Sequence, residues 1–196
     1  IVLIMETLST AETIKLLHSK EIPLFSLNEL GGIWGVENRQ TLYKKIQRLE
    51  KNKILKKLIK GKYLFLLKSA GDFTIANFLY QPSYVSMESA LSFYSIITGF
   101  PYQITSITIK KPKEFTVDGK DYSYSRISTS LFWGWEKKEN FLIATPEKAL
   151  LDYVYFAQRG LRNLDWGEID TTGLNMDLLL SWTRKFKISM PFRQKI

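Results

Sequence analysis

The clearest periodicity in the chain runs from Asn38 to Lys51, where Leu42, Ile46 and Leu49 recur at i, i+4 and i+7 and form a narrow apolar stripe. Asn38 is a suitable N-cap ahead of them. At about 100° per residue the opposite face carries Gln40, Lys44, Gln47, Arg48 and Lys51, with Arg39 and Tyr43 at its margins near the N-terminus. Shorter helical patterns precede this one. Ser9 or Thr10 caps a helix in which Ala11, Ile14 and Leu17 or His18 share a face; beyond Pro23, Ser26 caps a second that reaches Leu30. The cluster Gly31, Gly32 and Gly35 is expected to make a turn that a continuing helix would resist.

After the third helix the period shortens. Leu55, Leu58 and Ile59 precede Lys60 and Gly61, and Tyr63, Phe65 and Leu67 follow, an imperfect alternation that predicts two short strands joined at a lysine-flanked glycine. Leu58, Tyr63 and Phe65 are expected to face a small core, with Lys60 and Lys62 outward at the tip. Three helices followed by a basic hairpin is the order of a winged helix-turn-helix, in which the third helix enters the major groove and the hairpin meets backbone or minor groove beside it. Residues 1–68 are therefore read as a DNA-binding domain of that kind.

A second domain is expected over residues 71–196, where the composition changes without a linker. Ser86 caps a helix with Glu88 in its first turn and Met87, Ala90, Leu91 and Tyr94 as apolar positions, ending before Gly99 and Pro101. "QITSITIKK", "KEFTVDGKDYSYSRIS" and "NFLIA" read as strands, with Asp118-Gly119 as a hairpin turn. Thr145 caps the next helix, Pro146 occupies its first position and Gly160 closes it; Glu147 favours the helix dipole and Asp152 is expected on a wet face. "NMDLLLSWTRKF" is a final helix. The fold class is α+β, a winged helix-turn-helix followed by a mixed α/β domain with an antiparallel or mixed sheet.

Composition narrows the function. With 45% apolar and 14% aromatic residues in 196, the chain has the content of a packed globular protein, and the absence of cysteine with a single histidine, His18, excludes disulfide and thiolate or histidine-rich metal sites. His18 is expected to be a surface or half-packed residue at a helix end. The opening "IVLIM" is too short to span a bilayer and lacks the flanks of a signal peptide, so a soluble, cytoplasmic protein without a membrane partner is expected. Net charge is +9, and from Asn38 to Lys68 eleven basic residues face the single acid Glu50, so this segment alone carries +10. Its residue types suit duplex DNA. Gln40, Lys44, Gln47 and Arg39 are candidates for reading bases; Tyr43, Lys45, Arg48, Lys51, Lys56, Lys57, Lys60 and Lys62 are candidates for gripping the phosphate backbone.

Candidate chemistry in the second domain is thin. Phosphate-binding glycine loops, nucleophile elbows and zinc-protease motifs are absent, so no enzyme and no cofactor is expected. Glu136-Lys137-Lys138 is similar to the acidic-lysine half of a metal-dependent nuclease, a tripeptide common in basic proteins. Tyr122, Tyr124, Phe132, Trp133 and Trp135 fit a core or protein-contact face better than a base-stacking platform.

Two separated motifs complete the reading: Pro82-Ser83-Tyr84-Val85-Ser86 with Ser89-Ala90-Leu91, and Thr145-Pro146-Glu147-Lys148-Ala149-Leu150 with Asp152. In this order, behind a unit read as a winged helix, they resemble the AbiEi family of antitoxins of type IV toxin-antitoxin and abortive phage-infection systems, over about Ser26 to Tyr155. The resemblance implies an autorepressor that binds inverted repeats in its own promoter, with a second copy on the DNA. It also implies a C-terminal domain that counteracts a nucleotidyltransferase-like toxin, not necessarily by direct contact. Tyr84, Ser86, Glu88, Pro146, Glu147, Lys148 and Asp152 are the motif candidates for function, with capping as the structural alternative. A protein-interaction module or regulator without antitoxin activity is the competing reading.

Overall fold

A computed structural model describes residues 8–99 and 101–194; residues 1–7, which include the opening read as too short to span a bilayer, lie outside them. The chain divides into two compact units, Ile1–Gly71 and Asp72–Ile196. Mixed helices and sheets make it an α+β protein. Among the described residues no helix is long and apolar enough to cross a membrane.

The first unit begins with α1 (Thr10–His18), whose Ser9 and Glu12 form a capping box: the Glu12 amide donates to Ser9 Oγ and the Ser9 amide to Glu12 Oε2, at 3.2 and 2.7 Å. Its buried positions are Thr13 and Leu17, so Ala11 faces solvent instead of the core. A strand that the pattern did not reveal, β1 (Leu24–Ser26), leads into α2 (Leu27–Trp34), again with a capping box, from Ser26 and Glu29. Contrary to expectation α2 continues through Gly31 and Gly32 and stops only at Gly35, which is left-handed at φ 62°. Two effects outweigh the low helix propensity of glycine. Leu30 and Trp34, one turn apart, both bury in the core, and the missing side chain at Gly31 admits close neighbours. A Cβ there would lie 3.2 Å from the Val36 carbonyl and 3.3 Å from Leu42 Cδ2.

The next helix, α3 (Arg39–Lys51), is capped by Asn38, whose Oδ1 accepts from the Thr41 amide, and buries Leu42, Ile46 and Leu49. Each such side chain contributes about 1.5–3 kcal/mol by leaving water. The hairpin β2 (Leu55–Ile59) and β3 (Lys62–Phe65) follows, and β1 pairs with β3 rather than β2, giving an antiparallel sheet of order β1-β3-β2. Leu58, Tyr63 and Phe65 are buried, but Leu67 lies beyond the end of β3 and is exposed.

The second unit opens with α4 (Asp72–Leu79), which the apolar pattern does not announce, and β4 (Ser83–Val85). The predicted helix from Ser86 is shorter than expected. Ser83, Tyr84 and Val85 are all buried in a strand between two others, and α5 (Glu88–Phe93) starts only after Met87, with no side-chain cap. The remaining strands are β5 (Gln103–Thr108), β6 (Lys113–Val117), β7 (Lys120–Arg126), β8 (Trp135–Lys138) and β9 (Phe141–Ala144). Asp118 and Gly119, both at positive φ, turn β6 into β7. The helices α6 (Pro146–Ala157), α7 (Met176–Thr183) and the short α8 (Met190–Arg193) complete the unit.

Its six-stranded mixed sheet has the order β6-β7-β5-β4-β9-β8. The two halves are built alike. Strand β5 pairs in parallel with β7, the second arm of hairpin β6-β7, and β4 pairs in parallel with β9, the second arm of hairpin β8-β9; β4 and β5 join the halves antiparallel. This puts β4 in the middle, beside the strand that leads into α6 through the Thr145 cap.

Candidate functional site

The charged segment of the first unit divides by burial. On α3, Arg39, Gln40, Tyr43, Lys44, Gln47, Arg48 and Lys51 are all exposed while Leu42, Ile46 and Leu49 are sealed beneath them. Arg48 and Lys51 stand in the last turn, where positive charge suits the helix dipole. Lys45 differs. It is half-buried with Nζ 4.7 Å from the centroid of the Trp34 ring, and burial, reinforced by the nearby Arg48 charge, holds its ammonium below the usual lysine range. Lys45, a candidate for the phosphate backbone by sequence, also packs on an aromatic face.

The hairpin lysines are also unequal. Lys57 and Lys60 are exposed, whereas Lys56 and Lys62 are half-buried. Lys62 was expected outward at the tip, yet it lies in β3, the central strand, opposite Ser26 on one side and Ile59 on the other. The tip is tied down as well, because the Gly61 carbonyl accepts from the amide of Leu27, the first residue of α2, at 2.8 Å. Fully exposed charge at this hairpin is therefore concentrated on Lys57 and Lys60. Burial, with Glu50 and Tyr43 nearby, pushes the Tyr63 phenol upward, so it serves as a neutral core group.

In the second unit the two motifs meet. Lys148 and Asp152, one turn apart on α6, form an ion pair with both side chains 0% exposed, and Tyr84 and Ser86 reach it from β4 and the residue after it. Lys148 Nζ donates to Tyr84 Oη at 2.7 Å and to Asp152 Oδ1; Tyr84 Oη and Ser86 Oγ both donate to Asp152 Oδ2, at 3.0 and 2.8 Å. The rings of Phe186, Tyr84 and Trp133 surround the ammonium at 5.0, 5.1 and 5.7 Å. Gly134 leaves room for the lysine stem, since a Cβ there would fall 3.0 Å from Lys148 Cγ.

The electrostatics follow from this enclosure. Burial pushes Lys148 downward, opposed by the adjacent Asp152 charge and hydrogen bond. The same burial pushes Asp152 upward, opposed by Lys148, Ser86 and Tyr84. The Tyr84 phenol is raised well above its ordinary value by burial and then by Asp152, so it remains a neutral donor to the carboxylate. Asp152 was expected on a wet face and Ser86 at a helix cap; both are buried members of this network. The pattern held a signal for it: Ala149, Leu150, Leu151, Tyr153 and Val154 make α6 apolar around its circumference, leaving no wet side for Lys148 and Asp152.

The other motif residues have local structural work. Pro146 opens α6 behind the Thr145 cap. Glu147 Oε1 accepts from the Asn175 amide at 3.0 Å, joining α6 to the cap residue of α7, and Glu88 pairs with Arg162 at 3.5 Å. Glu136, the nuclease candidate, accepts from Tyr94 Oη and pairs with Lys138; no cluster of three metal-ligating side chains occurs among the described residues. Tyr122 and Tyr124 are core, Phe132 and Trp133 half-buried, and Trp135 exposed. His18 is exposed at the end of α1, with its ring edge-on to Phe65. No known protein family matches this chain, and no curated protein matches it either.

Proposed function

We propose that the protein is a DNA-binding autorepressor and antitoxin of the kind the motif resemblance implies. In this reading the first unit is a winged helix-turn-helix whose α3 enters the major groove. The observation that carries it is the single exposed face of α3, with Gln40, Lys44 and Gln47 among basic residues over a buried Leu42-Ile46-Leu49 stripe. Glutamine suits adenine, lysine and arginine suit guanine or phosphate, and the helix cannot turn this face inward without exposing its core residues. The hairpin contributes backbone contacts through Lys57 and Lys60.

Two copies on an inverted repeat would place two α3 helices about one duplex turn apart. The antitoxin role, counteracting a nucleotidyltransferase-like toxin without requiring contact, rests on the resemblance alone, whereas the cytoplasmic location and non-enzymatic character are expectations from the sequence. Support for the DNA-binding part comes from the concentration of charge: the segment of α3 and the hairpin holds the entire excess of positive charge.

Fluorescence anisotropy with duplex from upstream of the gene, over a salt series, tests this. Lys60→Ala should weaken operator and random duplex alike and lower the salt slope by roughly one, while Gln47→Ala should lose about 1–3 kcal/mol of discrimination at one base position. Equal affinity of the wild-type protein for operator and random duplex would sink the regulatory reading. A partner captured from the neighbouring gene product at high salt after nuclease treatment would favour an interaction module instead.

A further inference from the structure

A cleft of about 1060 Å³ opens beside α2 and α3, at the upper end of small-molecule site volumes. Trp34 and Val36 give it apolar surface, and Lys44, Lys45 and Arg48 of α3 give it three positive charges against the single acid Glu37. Two details point to a ligand rather than bare surface. Trp34 is 5% exposed and lines the cleft, yet its Nε1 donor has no hydrogen-bond acceptor. Lys45 holds its ammonium on the Trp34 ring, 4.7 Å from the centroid, so a cation and an aromatic plane are offered together.

We propose that this cleft binds an organic anion with a flat apolar body, its acid group between Lys45 and Arg48 and its body against Trp34 and Val36. A carboxylate or sulfonate supplies the charge that Lys45 and Arg48 call for. Because Lys44 and Arg48 also belong to the exposed face of α3, the bound anion competes with DNA phosphates for them; this consequence rests on the DNA-binding reading, whereas the binding itself does not.

Anilinonaphthalene sulfonate is a suitable probe, titrated by fluorescence into the full chain. One saturable site is expected, weakened about fivefold or more by Lys45→Met, which keeps an apolar chain on the indole, and by Trp34→Phe, which removes only the unpartnered donor and part of the ring. Lys57→Ala, the same charge loss outside the cleft, should leave binding within about twofold of wild type. Absence of saturable binding, or equal binding by the wild type, Lys45→Met and Trp34→Phe proteins, would overturn the site. Leu8 also lines the cleft; binding seen only after deletion of residues 1–7 would make the chain itself the occupant and overturn it as well. With labelled upstream duplex, saturating probe should raise the apparent Kd. Duplex binding untouched by a bound probe removes the competition, and a protein that binds probe but no duplex removes the DNA-binding reading while leaving the cleft.

Discussion

The two units use lysine in opposite ways. In the first, Lys44, Lys57 and Lys60 stand in water over an apolar core in which no described residue is charged, and even the half-buried Lys45 is carried on a ring face at its margin. In the second, Lys148 is sealed inside the protein with Asp152, and two hydrogen bonds plus three aromatic faces replace the water of its ammonium. Surface lysines add long-range attraction and little stability, and they tolerate replacement singly. A buried pair adds little net stability relative to an apolar pair, but neither partner can be removed alone. One residue type thus supplies surface charge in one unit and part of the architecture of the other.

The sharpest way to break this contrast is at the buried pair. Lys148→Ala or Asp152→Ala strands one charge and should cost about 3–5 kcal/mol, while Lys148→Met with Asp152→Leu should recover most of that. Urea unfolding followed by near-ultraviolet circular dichroism of the tryptophans reads both. If the single variants cost less than about 1 kcal/mol, the side chains are not sealed from water as described.

A smaller effect separates two neighbouring glycines of α2. At Gly31 a methyl would press on the Val36 carbonyl, whose own amide is bonded back to Gly31 at 2.9 Å and so cannot withdraw; Gly31→Ala should cost about 1 kcal/mol. Gly32 is exposed with open space around it, and Gly32→Ala should stabilise by up to about 1 kcal/mol. Thermal melts of the pair with the same sign would contradict the packing of α2 on the start of α3.

Alkaline pH should erode the second unit more than the first. Tyr84, Tyr94, Tyr122, Tyr124 and Tyr153 all have phenols raised chiefly by burial, Tyr153 to about 12, against Tyr63 in the first unit. A raised folded pKa means that the folded state holds its proton longer. Stability is therefore full below the unfolded value of about 10 and falls as pH climbs from there through the folded values. A melting temperature unchanged up to about pH 11, with tyrosinate absorbance rising in the folded protein, would show these phenols to be accessible.

The smallest effect belongs to the first unit at low pH. Glu12 is held below its ordinary value by the Ser9 side chain and backbone, so the capping box of α1 contributes above the unfolded carboxylate value and is lost as pH falls through the folded one. Ser9→Ala should flatten the acid side of the stability profile slightly, and an unchanged profile would mean the box is not formed in solution.

Much of this was legible in the sequence, for reasons that differ by element. The helix α3 declared itself because its apolar repeat and its Asn38 cap agree, and α6 because Thr145 and Pro146 mark its start. Hairpin β6-β7 followed from Asp118-Gly119. Three short strands escaped. The residues of β1 and β4 number three each, too few to establish an alternation, and β8 has a charged sequence that reads as surface. Gly31 and Gly32 misled because propensity counts what a residue lacks and not what its absence lets in.

What the sequence by itself determined is the local and the periodic: the seam of α3, the caps at Ser26, Asn38 and Thr145, the gathering of positive charge between Asn38 and Lys68, and the two motifs as candidates. Only the tertiary structure decided what those candidates do in the folded chain. Lys148 and Asp152 are an ordinary i, i+4 pair until β4 brings Tyr84 and Ser86 against them from more than sixty residues away, and Lys62 is an outward lysine until β1 pairs with β3. Charge and period are properties of neighbouring residues, whereas burial depends on which distant segments arrive, and it is burial that makes one lysine a reader of solvent and another a part of the core.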